Sequence, residues 1–376
     1  MVKKNIYEIL KLYVMILKIN YYALVFLVLL ISCTDRRMDK ELFNGEIRVV
    51  NDKDVICKEM NVKPVVLDGE YSGMIAVYDS ILICRDDRYP DFLYYLFNID
   101  SGKEIGAFCR KGNGPDEFSF VSPVSQFYRK DGDLMTLLQV NQQRLARWNL
   151  TKSLTKGEAV YDTIVPCMLG LFFFQMPDSN IFNVESAQYI NMQEAVPPYC
   201  ELIGLSGNRD NQKIPVYKTD LIRGENKNYP AGTLLSFWST IKPDGSKLVQ
   251  VMNYLPQLNI IDTHSGEVVA YRKKGGQGYS ILQSEKNMVD RYYLCVQADD
   301  KYIYAPYWGK EQWDGHGSLP EFNEIHVFDW EGNLCYKLTA DRSFFIVSLD
   351  PVRNRLYTRD WNTDDIYYLD LNELND

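Results

Sequence analysis

Six times between Gly73 and Asp360 the chain repeats one unit: a short apolar strand, a turn carrying aspartate, and a second apolar strand. The copies are GMIAVYDSILICRD from Gly73, SQFYRKDGDLMTLLQV from Ser125, LFFFQMPDSNIFNVE from Leu171, SFWSTIKPDGSKLVQV from Ser236, LCVQADDKYIYAPYW from Leu294 and FIVSLDPVRNRLYTRD from Phe345. Their turns fall near Asp79, Asp131, Asp178, Asp244, Asp300 and Asp350, 47 to 66 residues apart. A third strand follows each hairpin, and in five copies a polar or glycine turn leads it into a fourth. Four strands repeated at this period make the blades of a β-propeller. No long segment of helical period follows Cys33. A two-sheet sandwich leaves six ordered copies of the same two turns unexplained.

The sixth copy ends at its third strand, Ile366-Tyr367-Tyr368-Leu369, with little chain left for a fourth. An open strand edge invites aggregation, so another part of the chain must cover it. Residues 46–70, with Glu46 to Val50 and Val65 to Leu67, are the available candidates. The expected fold class is therefore all-β: a six-bladed β-propeller of four-stranded antiparallel blades, its ring closed by an N-terminal strand.

Tyr21 to Ser32, YYALVFLVLLIS, is an uncharged apolar run that stops at Cys33. It is short for a membrane span but suits the apolar region of a secretory signal. Leu30-Ile31-Ser32-Cys33 resembles a bacterial lipobox, where a diacylglycerol is attached to cysteine before cleavage. Met15 followed by Lys18 makes a compact signal, so the true start is expected at Met15. This divides the chain into a signal peptide and lipidated cysteine (1–33), a tether (34–45) and the propeller (46–376). Several acyl chains on one cysteine anchor firmly where a single myristoyl group does not.

Loss of residues 1–32 takes four lysines and one glutamate with it, moving the formal charge from −9 to −12. Such an acidic domain repels a phosphate backbone, which excludes nucleic acid as a partner. Seven cysteines remain, an odd number with no C-x-x-C pair. They read as small buried hydrophobes, and no metal site, redox motif or cofactor is expected.

FCRKGNGPDEFSF, Phe108 to Phe120, places glycines beside Arg110 and Lys111 as a phosphate loop would. Counting from Gly102, a base stands at +8 (Arg110) and glycines at +10 and +12 (Gly112, Gly114). Counting from Gly266 gives Lys274, Gly276 and Gly278 at the same offsets. A phosphate loop opens a helix and continues into Lys-Ser or Lys-Thr; here Pro115, Asp116 and a strand follow. The loop reads as a junction between blades, where glycines permit unusual dihedrals.

The run Gly112 to Phe118, GNGPDEF, and the run Lys242 to Leu248, KPDGSKL, resemble motifs of TolB-like and NHL-like six-bladed propellers. With the lipobox, nearly all of the mature chain resembles the TolB-like propeller lipoproteins of Bacteroidota. The resemblance implies the fold and a lipid-anchored place at the outer membrane, periplasmic or surface-exposed. It implies no activity and no catalytic residues.

Chemistry-bearing residues are sparse. There are three histidines: His264 in an outer turn, His326 within a strand, and His316 beside Glu311 and Asp314. No G-x-S-x-G elbow, H-E-x-x-H helix or EF-hand loop is present. In an up-and-down blade, the connections between second and third strands share a face with the junctions between blades. That face receives the long aromatic and charged loops, and binding usually resides on such loops. Candidate ligand-contacting residues there are Arg85, Arg144, Trp308, Trp313, His316, Arg359, Asp360 and Trp361. Arg85 and Arg359 follow the same strand in the first and sixth copies, so ring closure makes them neighbours and a candidate anion site. The plainer reading pairs each arginine with a nearby loop carboxylate.

The function expected is a monomeric, non-catalytic recognition module for a protein, peptide or glycan at the cell envelope. The alternative is a carbohydrate-active hydrolase or lyase using carboxylates on the same face. Two acids beside a Tyr or His in the central funnel would favour the alternative.

Overall fold

The computed structural model describes residue 15 and residues 37–376, apart from 70, 72, 115–116, 142–143, 205–208, 286–288, 312–321, 361 and 376. Cys33, Trp313, His316 and Trp361 lie outside the described residues.

The repeat folds as six antiparallel sheets in chain order. Blade one is Met74–Tyr78, Ile81–Arg85, Phe92–Asn98 and Glu104–Arg110; blade two is Phe127–Lys130, Asp133–Val140, Arg144–Asn149 and Tyr161–Pro166. Blade three is Phe172–Gln175, Ile181–Glu185, Tyr199–Ile203 and Arg209–Pro215; blade four is Phe237–Ile241, Lys247–Met252, Gln257–Asp262 and Val268–Arg272. Blade five starts on a broken inner strand, Asp290–Tyr293 and Gln297–Ala298, before Tyr302–Glu311, Glu324–Asp329 and Leu334–Thr339. Blade six supplies Phe344–Asp350, Arg355–Asp360 and Ile366–Asp370.

Each sheet is sandwiched between its neighbours, so the middle strands are buried on both faces. Between the ends of Phe92–Asn98 every residue is buried. That is why these strands read as apolar blocks instead of strict alternation. The hairpin turns use the expected chemistry: Asp79, Asp131, Ser179, Gly245 and Asn354 all take left-handed φ between +52° and +74°, which Asp, Asn and Gly tolerate best. The seven cysteines after Cys33 are free thiols, and Cys84, Cys109, Cys167, Cys200 and Cys295 are buried.

The N-terminal segment departs most from expectation. Residues 37–45, expected within a tether, are docked on the propeller. Residues 37–42 are helical, and Asp39 Oδ2 lies 2.6 Å from Nη1 of the buried Arg272 in blade four. Phe43 is fully buried, edge-on to Tyr217 and stacked on Tyr279. Glu46–Val49, one of the two candidates for the closing strand, instead adds a parallel strand outside Val268–Arg272 of blade four. Ile56–Glu59 does the same outside Leu334–Thr339 of blade five. Val62–Val65 then pairs antiparallel with Ile366–Leu369, giving the sheet of blade six four strands. The strap next touches blade one, where Asp68 N–H donates to Gly102 O.

Blades six and one meet directly. Val77 N–H donates to Ser348 Oγ (2.9 Å), and Asp79 N–H to Asp350 Oδ1 (3.0 Å). Arg353 grips Asp100 with two 2.7 Å hydrogen bonds, the fork geometry that suits guanidinium and carboxylate.

Two other elements are additions to the repeat. The turn expected after RLARWN in blade two is a helix, Leu150–Lys156, capped by the Asn149 side chain and by left-handed Gly157. The long loop from Ser186 contains a hairpin, Gln188–Tyr189 and Glu194–Val196, which pairs with Ile222–Arg223 as a separate small sheet.

Two outcomes follow. A chain beginning at residue 67 should aggregate with increasing concentration, read by light scattering, because blade six then presents a bare edge; a monomer of unchanged stability would contradict this. Phe43→Ala should lower unfolding stability by about 3–5 kcal/mol in denaturant titration, the cost of emptying a buried aromatic site.

Candidate functional site

Arg85 and Arg359 both stand at the end of the second strand of their blades. The aspartate after each is buried and caps the loop beyond it. Asp86 Oδ1 accepts from Arg88 N–H (3.0 Å), and Asp360 Oδ1 accepts from Asn362 N–H (2.7 Å). The Arg-Asp repeat is therefore partly architectural, and Asp360, a candidate ligand contact by sequence, is occupied within its own loop. Gly73 is required where the chain enters blade one. Its φ is +101°, and a Cβ there would stand 2.1 Å from Arg85 O.

The two arginines differ in what holds them. Arg85 Nη2 is 2.8 Å from Asp87 Oδ2 and its guanidinium lies over Phe120. Arg359 is 8% exposed. A register shift in the inner strand after Phe344 accompanies the placement of the Phe345 ring 4.9 Å from its guanidinium. Its Nη2 is 3.5 Å from Asp364 Oδ1, while Nε and Nη1 are buried and have no hydrogen-bond partner among the described residues. Burial holds its pKa below the ordinary arginine value, with Asp364, Cys84 and Asp86 drawing it back up and Arg88 opposing them. Those last three groups belong to blade one, so Arg359 faces the seam between blades.

Arg88, which sequence reasoning passed over, grips the buried Asp86 with a fork of its own: Nε to Oδ1 3.0 Å and Nη2 to Oδ2 2.8 Å. It also lines a cavity of about 540 Å³ with Tyr71, Asp364, Asp365, Tyr367 and the strap residues Pro64 to Leu67. The strap's contribution was invisible in the sequence because nothing in the local pattern says which blade it reaches.

The other expected residues go elsewhere. Trp308 is half-buried against Phe322 at 5.5 Å in blade five, packing the core. Arg144 lies over the Phe118 ring at 5.9 Å in the junction after blade one. The glycine loop in that junction folds onto its own Glu117. Gly114 N–H donates to the carboxylate (2.9 Å), and a Cβ at Gly112 would stand 2.0 Å from Glu117 Oε2. A carboxylate of the chain thus fills the place a phosphate would take.

His326 is a satisfied strand residue, as expected. It is buried, stacked on Tyr307 at 3.9 Å, and its Nε2 lies 2.7 Å from Glu324 Oε1. Burial pushes its pKa below the ordinary histidine value, against the pull of Glu324. Glu324 is itself held low by its hydrogen bond with His326. We assign a neutral imidazole donating Nε2–H to the carboxylate, since nearly complete burial disfavours the second proton. Both depressed groups contribute stability that is present above their unfolded pKa values and lost as pH falls. The histidine part fades below about pH 6.5 and the glutamate part below about pH 4.3. Unfolding free energy should therefore decline between about pH 6.5 and 5 with a slope of at most about 1.4 kcal/mol per unit from this group. His326→Gln should flatten that segment of the profile.

Among the described residues no group of three or more His, Cys, Asp or Glu could hold a metal ion. No curated protein matches the chain. A member of the DUF4221 family from Bacteroides vulgatus is similar in structure, with a TM-score of 0.53 and 15% identity over 85% of this chain and 98% of that one. A putative exported protein from Bacteroides fragilis is similar at a TM-score of 0.47 and 12% identity, over 86% and 98% of the two chains. The family profile described as TolB-like 6-blade propeller-like matches residues 70–350, the span from the strap's end to the last hairpin. The chain belongs to the TolB-like six-blade propeller-like family.

Proposed function

We propose that this propeller is an exported, lipid-anchored recognition module, its ring closed by Val62–Val65, that binds an anionic group of an envelope glycan, peptide or protein at the seam of blades one and six. The observation that carries the reading is Arg359 at the seam: more than nine-tenths buried, with two nitrogens that have no partner among the described residues. Leaving such donors unmet is costly, and a carboxylate or sulfate at the seam would supply the guanidinium with a charged acceptor. The adjoining cavity adds Arg88 for charge and Tyr71 and Tyr367 for stacking against a sugar or peptide face. The central cavity holds the two acids and the tyrosine named for the hydrolase or lyase alternative, Asp299, Asp300 and the Tyr304 hydroxyl on Asp299, but their arrangement does not suit it. Asp299 and Asp300, the carboxylates in the central cavity, are adjacent on one turn. Both oxygens of Asp299 already accept, from Lys301 and Tyr302 N–H and from the Tyr304 hydroxyl.

The test is calorimetric titration with inorganic sulfate, glucuronate and a chondroitin sulfate disaccharide. Arg359→Ala should weaken binding of the preferred probe by about 1.5–3 kcal/mol, the range for hydrogen bonds to charged groups. Arg85→Ala should cost less, because Asp87 already neutralises it. Unchanged affinity in folded Arg359→Ala protein would remove the seam from consideration. Anchoring is checked separately: mass spectrometry of membrane-extracted protein should find Cys33 diacylated and residues 1–32 absent, and an unmodified Cys33 would refute it.

A further inference from the structure

A cavity of about 600 Å³ occupies the middle of the ring, lined by residues from the inner strands and hairpin turns of all six blades. It lies on the side of the hairpin turns, opposite the long loops. Five of its lining residues carry charge. Arg129, Lys130 and Arg147 come from blade two, and Asp299 and Asp300 from blade five. In a ring of six, these two blades face each other across the centre. The cavity is thus positive on one wall and negative on the other, with uncharged hydrogen-bonding groups such as Gln126 and Gln175 between.

The charges are not equally committed. Arg147 is 7% exposed and held by Gln175 and by Ser179 O, which fixes it as part of the wall. Arg129 is tied to Tyr78 and Gly132 O. Lys130 and Asp300 are exposed, and neither has a side-chain hydrogen bond or ion pair among the described residues. Pro177, Pro243 and Pro351 stiffen three of the surrounding turns.

We propose that this cavity binds a short unblocked peptide, with its α-carboxylate toward Lys130 and Arg129 of blade two and its α-ammonium toward Asp300 of blade five. A zwitterion spanning the ring meets complementary charge at both ends, whereas a simple anion or cation meets attraction at one wall and repulsion at the other. The volume falls in the ~300–1,000 Å³ range of small-ligand sites and suits about two to four residues. This site is separate from the seam and does not depend on it.

The experiment is titration calorimetry of the full mature chain at low and physiological salt with three probes: Ala-Ala-Ala, its N-acetyl form and its C-terminal amide. The expected result is measurable binding of the free tripeptide, weakened at least about tenfold by either block, since each removes a charge-assisted contact. Lys130→Gln should weaken binding of the peptide with a free carboxylate and leave the amide unaffected. Asp300→Asn should do the same for the free amine and leave the acetylated peptide unaffected. Both residues are exposed, so both variants are expected to fold, checked by circular dichroism. Equal affinity for blocked and unblocked peptides, or no heat from any of them at millimolar concentration, overturns the proposal. Loss of tripeptide binding in Arg359→Ala protein would also overturn it, by moving the peptide to the seam.

Discussion

Blade six owns three strands, and the outer edge of its sheet at Ile366–Asp370 is a row of backbone donors and acceptors that must find partners. Val62–Val65 provides them. The strap that delivers this strand crosses the outside of blades four and five on the way, although those blades already have four strands of their own. Its strands are mostly exposed; Val49 and Ile56 face solvent. What fixes the strap is therefore a few buried anchors between the pairings: Phe43, the Asp39–Arg272 pair, Val50 and Met60. The ion pair sits where breaking it would leave Arg272 charged and buried, a larger loss than the pair itself contributes.

The same junction of blades six and one gathers the most demanding polar chemistry in the molecule. On the hairpin side, Asp350 accepts from Asp79 N–H, and Arg353 pairs with the carboxylates of Asp100 and Asp79. On the loop side, Asp86 and Asp360 are spent on capping turns, so the arginines before them must look further for partners. Arg85 finds Asp87 close by. Arg359, walled by Phe345, finds only a long contact with Asp364. One dipeptide repeated in two blades thus leaves one cation with a close carboxylate and the other with only a distant one.

Most of the architecture was legible because a blade is a local object. Its strands are consecutive, its turns need Asp, Asn or Gly at left-handed positions, and the period of the hairpins counts the blades. The strap was legible only in part. That blade six lacked a strand followed from counting, but Glu46 to Val50 and Val62 to Val65 are equally strand-like, and their partners lie about 220 and about 300 residues away. The seam arginines were found through their equivalent positions in two copies. Phe345 and Arg88 were not, since a register shift and a side-chain fork leave no periodic signal. Trp308 misled because an aromatic on a loop face looks the same in sequence whether it greets a ligand or packs on Phe322.

Val62 pairs with Leu369, and the Lys58 ammonium reaches Glu373 O. In any chain made from its N-terminus, the strap is synthesised first and its partners last. Blades one to three can form as they appear, each from neighbouring residues, while Val62–Val65 waits unpaired until Ile366–Leu369 is made. The Val62–Val65 pairing joins residues about 300 apart, so its formation is expected to be the slow final step of folding. Until then the outer edge of blade six stays unpaired, and the chain's survival in that interval depends on how long that edge stays apart from other copies.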